Sequence, residues 1–172
     1  MMQMLAAGGM SVLTDGVRQA DEDNPRGYFE FEKVKIMKVD PSWLNDATGK
    51  VVKMISMLLR DLPPDRQFKI IFMKRNLDEV IASQKEMLER RGQQESAAAD
   101  DEQMKPIYRK HLWGLESWLS KQVNMQVLYV NYNRIILKPR KTAMEINNFL
   151  GGNLDIEKMV MTVDEGLYRQ RR

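Results

Sequence analysis

The chain has 172 residues, the size of one domain and enough to bury a sizeable core. Hydrophobic residues make up 43% and charged residues 30%, as in a soluble globular domain, and no apolar run is long enough to span a bilayer. The absence of cysteine excludes a disulfide framework, thiolate zinc sites and a thiol nucleophile, the single histidine, His111, excludes a multi-histidine metal centre, and a net charge of +3 admits an anionic ligand without implying nucleic acid.

The chain opens on Met1-Met2-Gln3-Met4-Leu5, an apolar, helix-prone run without a basic n-region. It makes a poor signal peptide and resembles the middle of an element. Together with the lack of cysteine, this suits a cytoplasmic protein. The helix is expected to stop at Gly8-Gly9, which suits a C-cap. Ser11-Val12-Leu13 is a short strand candidate. Residues 15–27 are polar, with Asn24-Pro25-Arg26-Gly27 as a turn. Residues 28–39 should be helical around Phe31 to Met37, and 41–50 a loop or short helical turn. Val51-Val52-Lys53-Met54-Ile55 is an apolar run with a lysine inside it.

Residues 67–73 form the strongest strand candidate, and 126–130 another. Both are rich in β-branched and aromatic residues and alternate poorly, as expected when both faces of a sheet are covered. Helical patterns separate them. One runs over 77–91, with Leu77, Val80, Ile81, Met87 and Leu88. A second runs over 101–122, with Ile107, Leu112, Leu115, Trp118 and Leu119 roughly along one stripe. Residues 92–100 read as a mobile loop. After the second strand come one helical turn, a helix over 138–150 stopped by Gly151-Gly152, and a last short helix over 156–163. Strands alternating with helices predict an α/β domain with a parallel sheet, in which ligands sit beyond the carboxyl ends of the strands. Residues 1–172 are expected to form a single domain.

Two stretches stand out. In Lys74-Arg75-Asn76-Leu77-Asp78-Glu79-Val80-Ile81-Ala82-Ser83, Arg75 follows a strand's carboxyl end and Ser83 comes eight residues, about two helical turns, later. An arginine there offers a charge-assisted fork to a phosphate, and the hydroxyl adds a donor. Equally, Arg75 can pair with Asp78 or Glu79 and leave Ser83 without a role. The second stretch is Asn131-Tyr132-Asn133, then Lys138-Pro139-Arg140 and Phe149-Leu150-Gly151, which on its own is architecture.

Together these residues resemble the sulfotransferase family, P-loop-related enzymes that use 3′-phosphoadenosine 5′-phosphosulfate (PAPS). The resemblance covers essentially the whole chain and is nearest to a group of bacterial sulfotransferase-like proteins. Arg-Asn-x-x-Glu-Val-x-x-Ser matches the family's 3′-phosphate motif at Arg75 and Ser83. The Tyr…Pro…Phe-Leu-Gly segment is also shared, and Asn24-Pro25-Arg26-Gly27-Tyr28-Phe29-Glu30 is similar to a stretch of the bacterial group. The resemblance implies a three-layer P-loop-type fold and metal-free, in-line sulfuryl transfer from PAPS to a hydroxyl or amine of a small acceptor.

It also marks two departures. The family's Gly/Ser/Thr-rich loop, whose amides cradle the 5′-phosphosulfate, has no counterpart here. The chain therefore reads as a domain missing its first strand and loop, and inactive as it stands. Lys53 resembles a lysine that stabilises leaving charge, or is a snorkelling strand-end lysine. The family's histidine two residues on is Ile55. A carboxylate is then the candidate base: Glu30 or Asp15, with Asp23 behind. His111 and the fourteen methionines are expected to pack rather than react. Arg169 and Arg171, in a basic C-terminal segment, are candidates for the 3′-phosphate or part of a frayed tail. No nucleic-acid or membrane partner is expected, and an exposed sheet edge allows self-association. The acceptor pocket should be built from residues 15–30 and 92–106. A non-catalytic nucleotide-binding remnant and a P-loop small-molecule kinase stay open as other readings.

Overall fold

The computed structural model describes residues 1–21, 24, 27–90, 92, 101–164 and 166, with backbone only for 101–103. The chain divides into two compact units, one of Met1–Gln67 with Lys138–Val163, the other of Phe68–Leu137 with Asp164–Arg172.

The second unit holds the sheet. Strand β1 (Phe68–Lys74) pairs in parallel with β2 (Met125–Asn131), in a register that sets Phe68 against Met125 and Lys74 against Asn131. Parallel strands need a long crossover, here supplied by helices α2 (Leu77–Arg90) and α3 (Asp101–Leu119), which pack on each other. Alternation along the strands puts Phe72 and Lys74 on the face that carries Tyr129, and the Phe72 and Tyr129 rings meet at 5.5 Å. Leu115 and Leu119 of α3 are buried. Ile107 is 61% exposed, so the expected α3 stripe buries only its C-terminal half. That helix begins at Asp101 and contains Pro106, which ends the expected loop earlier than residue 106. Among the described residues the sheet has two strands.

An asparagine at the end of β2 and one two residues past the end of β1 each start a helix. The Asn76 side chain accepts from the Asp78 N–H at 3.0 Å, opening α2. The Asn131 side chain accepts from the N–H groups of Asn133 and Arg134 at 2.9 and 3.3 Å, opening α4 (Tyr132–Leu137). Asparagine suits both positions because its short amide satisfies N–H groups that a helix start leaves unpaired.

The first unit is built from short helices and turns. Helix α1 (Met2–Ala7) packs on α6 (Ile156–Met161), which packs on α5 (Pro139–Leu150). Gly8 makes the first contact close: a Cβ there would lie 2.8 Å from Met159 Cγ, and the Gly8 carbonyl accepts from the Asp155 N–H at 3.0 Å. Helix α5 starts with a proline and stops at Gly151, whose φ of 119° only glycine adopts without strain. Three 3₁₀ turns, Glu32–Ile36, Ser42–Asn45 and Ser56–Asp61, fill the rest and bury Val34, Trp43, Leu44 and Leu59.

The expected strand at residues 11–13 is reduced to a single parallel bridge between Val12 and Val51. The run after Val51 does not extend it. Residues 52–55 are irregular and Ile55 is 61% exposed, so its apolar side chains do not all point to a core. Residues 93–100, most of the expected mobile loop, lie outside the described residues.

Candidate functional site

Arg75 leaves the carboxyl end of β1 one residue before the Asn76 cap, and its guanidinium is held on two sides. Its Nε donates to Glu79 Oε2 at 3.0 Å, and its plane lies over the Tyr132 ring at 4.8 Å from the centroid. Glu79 sits one helical turn on and its side chain is 0% exposed, whereas that of Arg75 is 26% exposed. The buried carboxylate thus acts as an anchor. The carboxylate takes the Nε edge of the partly exposed arginine and fixes its direction. Ser83 follows Glu79 by one more turn, so Arg75, Glu79 and Ser83 lie at i, i+4 and i+8 along one helical line. The pairing expected with Asp78 or Glu79 is with Glu79. Asp78 instead meets Lys105 at 2.9 Å.

A second basic, aromatic and acidic trio lies at the same end of the sheet. Lys74 Nζ pairs with Glu116 at 2.8 Å and lies 4.6 Å from the Tyr129 centroid. Burial, with a smaller contribution from the Glu116 charge, raises the Tyr129 phenol above its ordinary range.

In the first unit the residues from 14 to 32 form a loop closed at its neck. The Thr14 hydroxyl donates to the Glu30 carbonyl at 2.8 Å, and the Glu32 N–H donates to Asp15 Oδ2 at 2.6 Å. Asp15 Oδ1 accepts from the Val17 N–H at 3.1 Å. Both Asp15 oxygens are therefore engaged by backbone donors. These bonds, that from Glu32 first, hold its carboxyl below the usual range. Asp15 thus clasps the backbone at the neck of the loop with both of its oxygens. Asp23 lies outside the described residues, as do Arg169 and Arg171.

Glu30 and Lys53, 23 positions apart in sequence, are brought together, with Lys53 Nζ 3.4 Å from Glu30 Oε1. Lys53 also donates to the Tyr28 carbonyl at 3.0 Å. Arg18 Nη1 reaches the same Glu30 oxygen at 3.2 Å. Two cations thus converge on Oε1, while Oε2 has no partner among the described residues. The Arg18 guanidinium lies 3.3 Å from the Tyr28 centroid, and the Tyr28 hydroxyl is fixed by Asp21 at 2.6 Å. Between Tyr28 and Glu30, Phe29 takes a left-handed φ of 53°, uncommon for a side chain of its size. That turn gives the backbone its path between the two residues that hold Arg18.

Sequence reasoning singled out Arg75, Ser83, Lys53 and Glu30 as candidates. It gave no role to Tyr132, Tyr28 or Arg18. Tyr132 sat in view as the first residue after β2. Arg18 carried no signal, because its partners come from positions 28 and 30 across a polar loop.

Among the described residues no group of three or more histidines, cysteines or carboxylates could hold a metal ion, and no helix is long and apolar enough to cross a membrane. No curated protein and no solved structure matches the chain significantly. The sequence profile of the sulfotransferase domain matches residues 50–169, well over half of the chain and inclusive of Lys53, Arg75, Ser83 and Tyr132. The chain belongs to the sulfotransferase family.

Proposed function

We propose that this domain serves sulfuryl transfer from PAPS to a hydroxyl or amine of a small acceptor. The observation that carries this reading is Arg75, held at the carboxyl end of a parallel strand by a buried carboxylate and an aromatic face. Open α/β sheets bind ligands beyond those strand ends. A fixed guanidinium with a serine hydroxyl two turns along the helix makes a donor set suited to a phosphate dianion, and in this reading Arg75 and Ser83 take the 3′-phosphate. Arg169 and Arg171 add cationic charge to that end of the nucleotide.

In the first unit, Glu30 is the base. One of its oxygens is held by cations and the other is unengaged, so Oε2 takes the proton that the acceptor hydroxyl or amine loses as its bond to sulfur forms. Lys53 faces the charge that develops on the bridging oxygen as the old sulfur–oxygen bond breaks, and offsets it electrostatically. No covalent enzyme intermediate and no metal enter this scheme. Transfer also requires a cradle of backbone amides for the phosphosulfate end, in addition to the residues described. A second reading, a domain that binds the nucleotide without turning it over, draws on the same Arg75 arrangement.

The test is calorimetric titration of the protein with 3′,5′-adenosine bisphosphate. Saturable binding that disappears in Arg75→Ala is expected. A folded protein that does not bind, or binding indifferent to Arg75→Ala, would sink both readings.

A further inference from the structure

Arg18 has no contact with the acceptor in the proposed transfer, and its hydrogen bonding is unbalanced. Nη1 makes a single contact with Glu30 at 3.2 Å, while Nη2 is shut away from solvent without any acceptor. A buried donor left unpaired is costly, more so on a cation. A guanidinium favours two parallel bonds to an oxyanion over one. Arg18 and Lys53 also share one carboxylate oxygen of Glu30. The guanidinium is also already oriented, flat on Tyr28, whose hydroxyl is fixed by Asp21. Its side chain is 32% exposed, which leaves an approach for a ligand.

We propose that Arg18 selects the acceptor: the molecule to be sulfated carries an oxyanion, such as a carboxylate, beside its hydroxyl or amine, and that oxyanion docks on the Arg18 guanidinium. This rests on the reading that Glu30 and Lys53 lie at the transfer site. Docking turns the guanidinium on Tyr28 so that Nη2, shut away from solvent while Arg18 rests on Glu30, opens to the oxyanion beside Nη1, and a one-point contact is exchanged for a two-point one. Glu30 then keeps Lys53 on Oε1, whereas an acceptor without the oxyanion leaves Arg18 on Glu30 as well. Arg18 is therefore a specificity-determining residue.

The experiment is titration of the full chain with 4-hydroxybenzoate and with 3-hydroxybutyrate, each compared with its neutral amide. Both acids are expected to bind at least tenfold more tightly than their amides. That preference should vanish in Arg18→Gln and shrink, without vanishing, in Arg18→Lys, which keeps the charge but loses the fork. Acids and amides of equal affinity, no binding of either acid, or a preference that survives Arg18→Gln would overturn the proposal. The wild-type comparison decides the matter even if Arg18→Gln fails to fold, which circular dichroism would reveal. Parallel titration with 3′,5′-adenosine bisphosphate separates the two levels of inference. Nucleotide binding without acid preference removes the acceptor assignment alone. Acid preference without nucleotide binding supports the Arg18 site and removes the sulfuryl-transfer reading on which its purpose rests.

Discussion

The two candidate clusters, one in each unit, are built in opposite ways. Around Arg75, the anchor Glu79 and the hydroxyl of Ser83 come from the next two turns of a single helix, and only Tyr132 is imported from elsewhere in the chain. Around Glu30, every contact is long-range: Arg18 is 12 positions away and Lys53 is 23. The first arrangement is guaranteed by helical periodicity once α2 forms. The second exists only when the loop closed by Thr14, Asp15, Glu30 and Glu32 has folded. A site of the first kind leaves a contiguous motif, and one of the second kind leaves scattered residues with no mutual spacing. The same contrast runs through the units, since one has paired strands and long helices and the other is held by short turns and side-chain caps.

The largest effects should come from the cores. Leu115 in α3 and Ile146 in α5 are both 0% exposed. Truncating either to alanine should cost about 2–5 kcal/mol in denaturant unfolding. Amide hydrogen exchange then sharpens the comparison. Leu115→Ala should speed exchange in β1 and β2, and Ile146→Ala in α5 and α6. Equal acceleration everywhere in both variants would break it by making the units a single cooperative whole.

A smaller effect is expected at Ser83. Ser83→Ala should weaken 3′,5′-adenosine bisphosphate by about tenfold, roughly 1.4 kcal/mol, as for one hydrogen bond to a charged oxygen, with the unfolding midpoint unchanged. A lower midpoint with unchanged affinity would make Ser83 a packing residue.

The smallest effect is a pH dependence. Asp15, Asp40 and Asp155 all lie in the first unit, and hydrogen bonds lower the carboxyl of each: the Glu32 N–H for Asp15, the Ser42 hydroxyl and N–H for Asp40, the Lys158 N–H for Asp155. A depressed folded-state value means that the stabilisation is fully present above the unfolded value of about 4 and is lost as pH falls through the folded one. Acidification from pH 6 to pH 2 should therefore release amide protection in residues 1–67 before residues 68–137. Loss in the reverse order, or at once in both, would show that these caps do not govern the first unit's acid stability.

Much of the architecture was legible. Residues 67–73 and 126–130 announced β1 and β2 through β-branched and aromatic density, and Pro139 and Gly151 punctuated α5 to within a residue. Periodicity misled at Ile107, because an amphipathic stripe records only what a helix can bury and not how far its neighbours extend. Val51 to Ile55 has strand composition but bridges at one residue, since a strand needs a partner backbone as well as suitable side chains. Glu79 was legible as a partner of Arg75 but not as its buried anchor, because burial of a charge depends on tertiary packing. Arg18 was invisible for the reason already given by its long-range contacts.

The contact of Gly8 with Met159 and Asp155 has a consequence for the order in which the protein can assemble as it leaves the ribosome. Residues 68–137 emerge as one uninterrupted stretch, so β1 can find β2 while the rest of the chain is still being made. Helix α1 is made before that stretch, yet its partner α6 follows it by about 150 residues, roughly ten seconds or more at typical synthesis rates. Met4 and Leu5, which end up almost fully buried, lack the α6 side of their packing until then. Helix α1 is therefore a segment that a chaperone would have reason to hold.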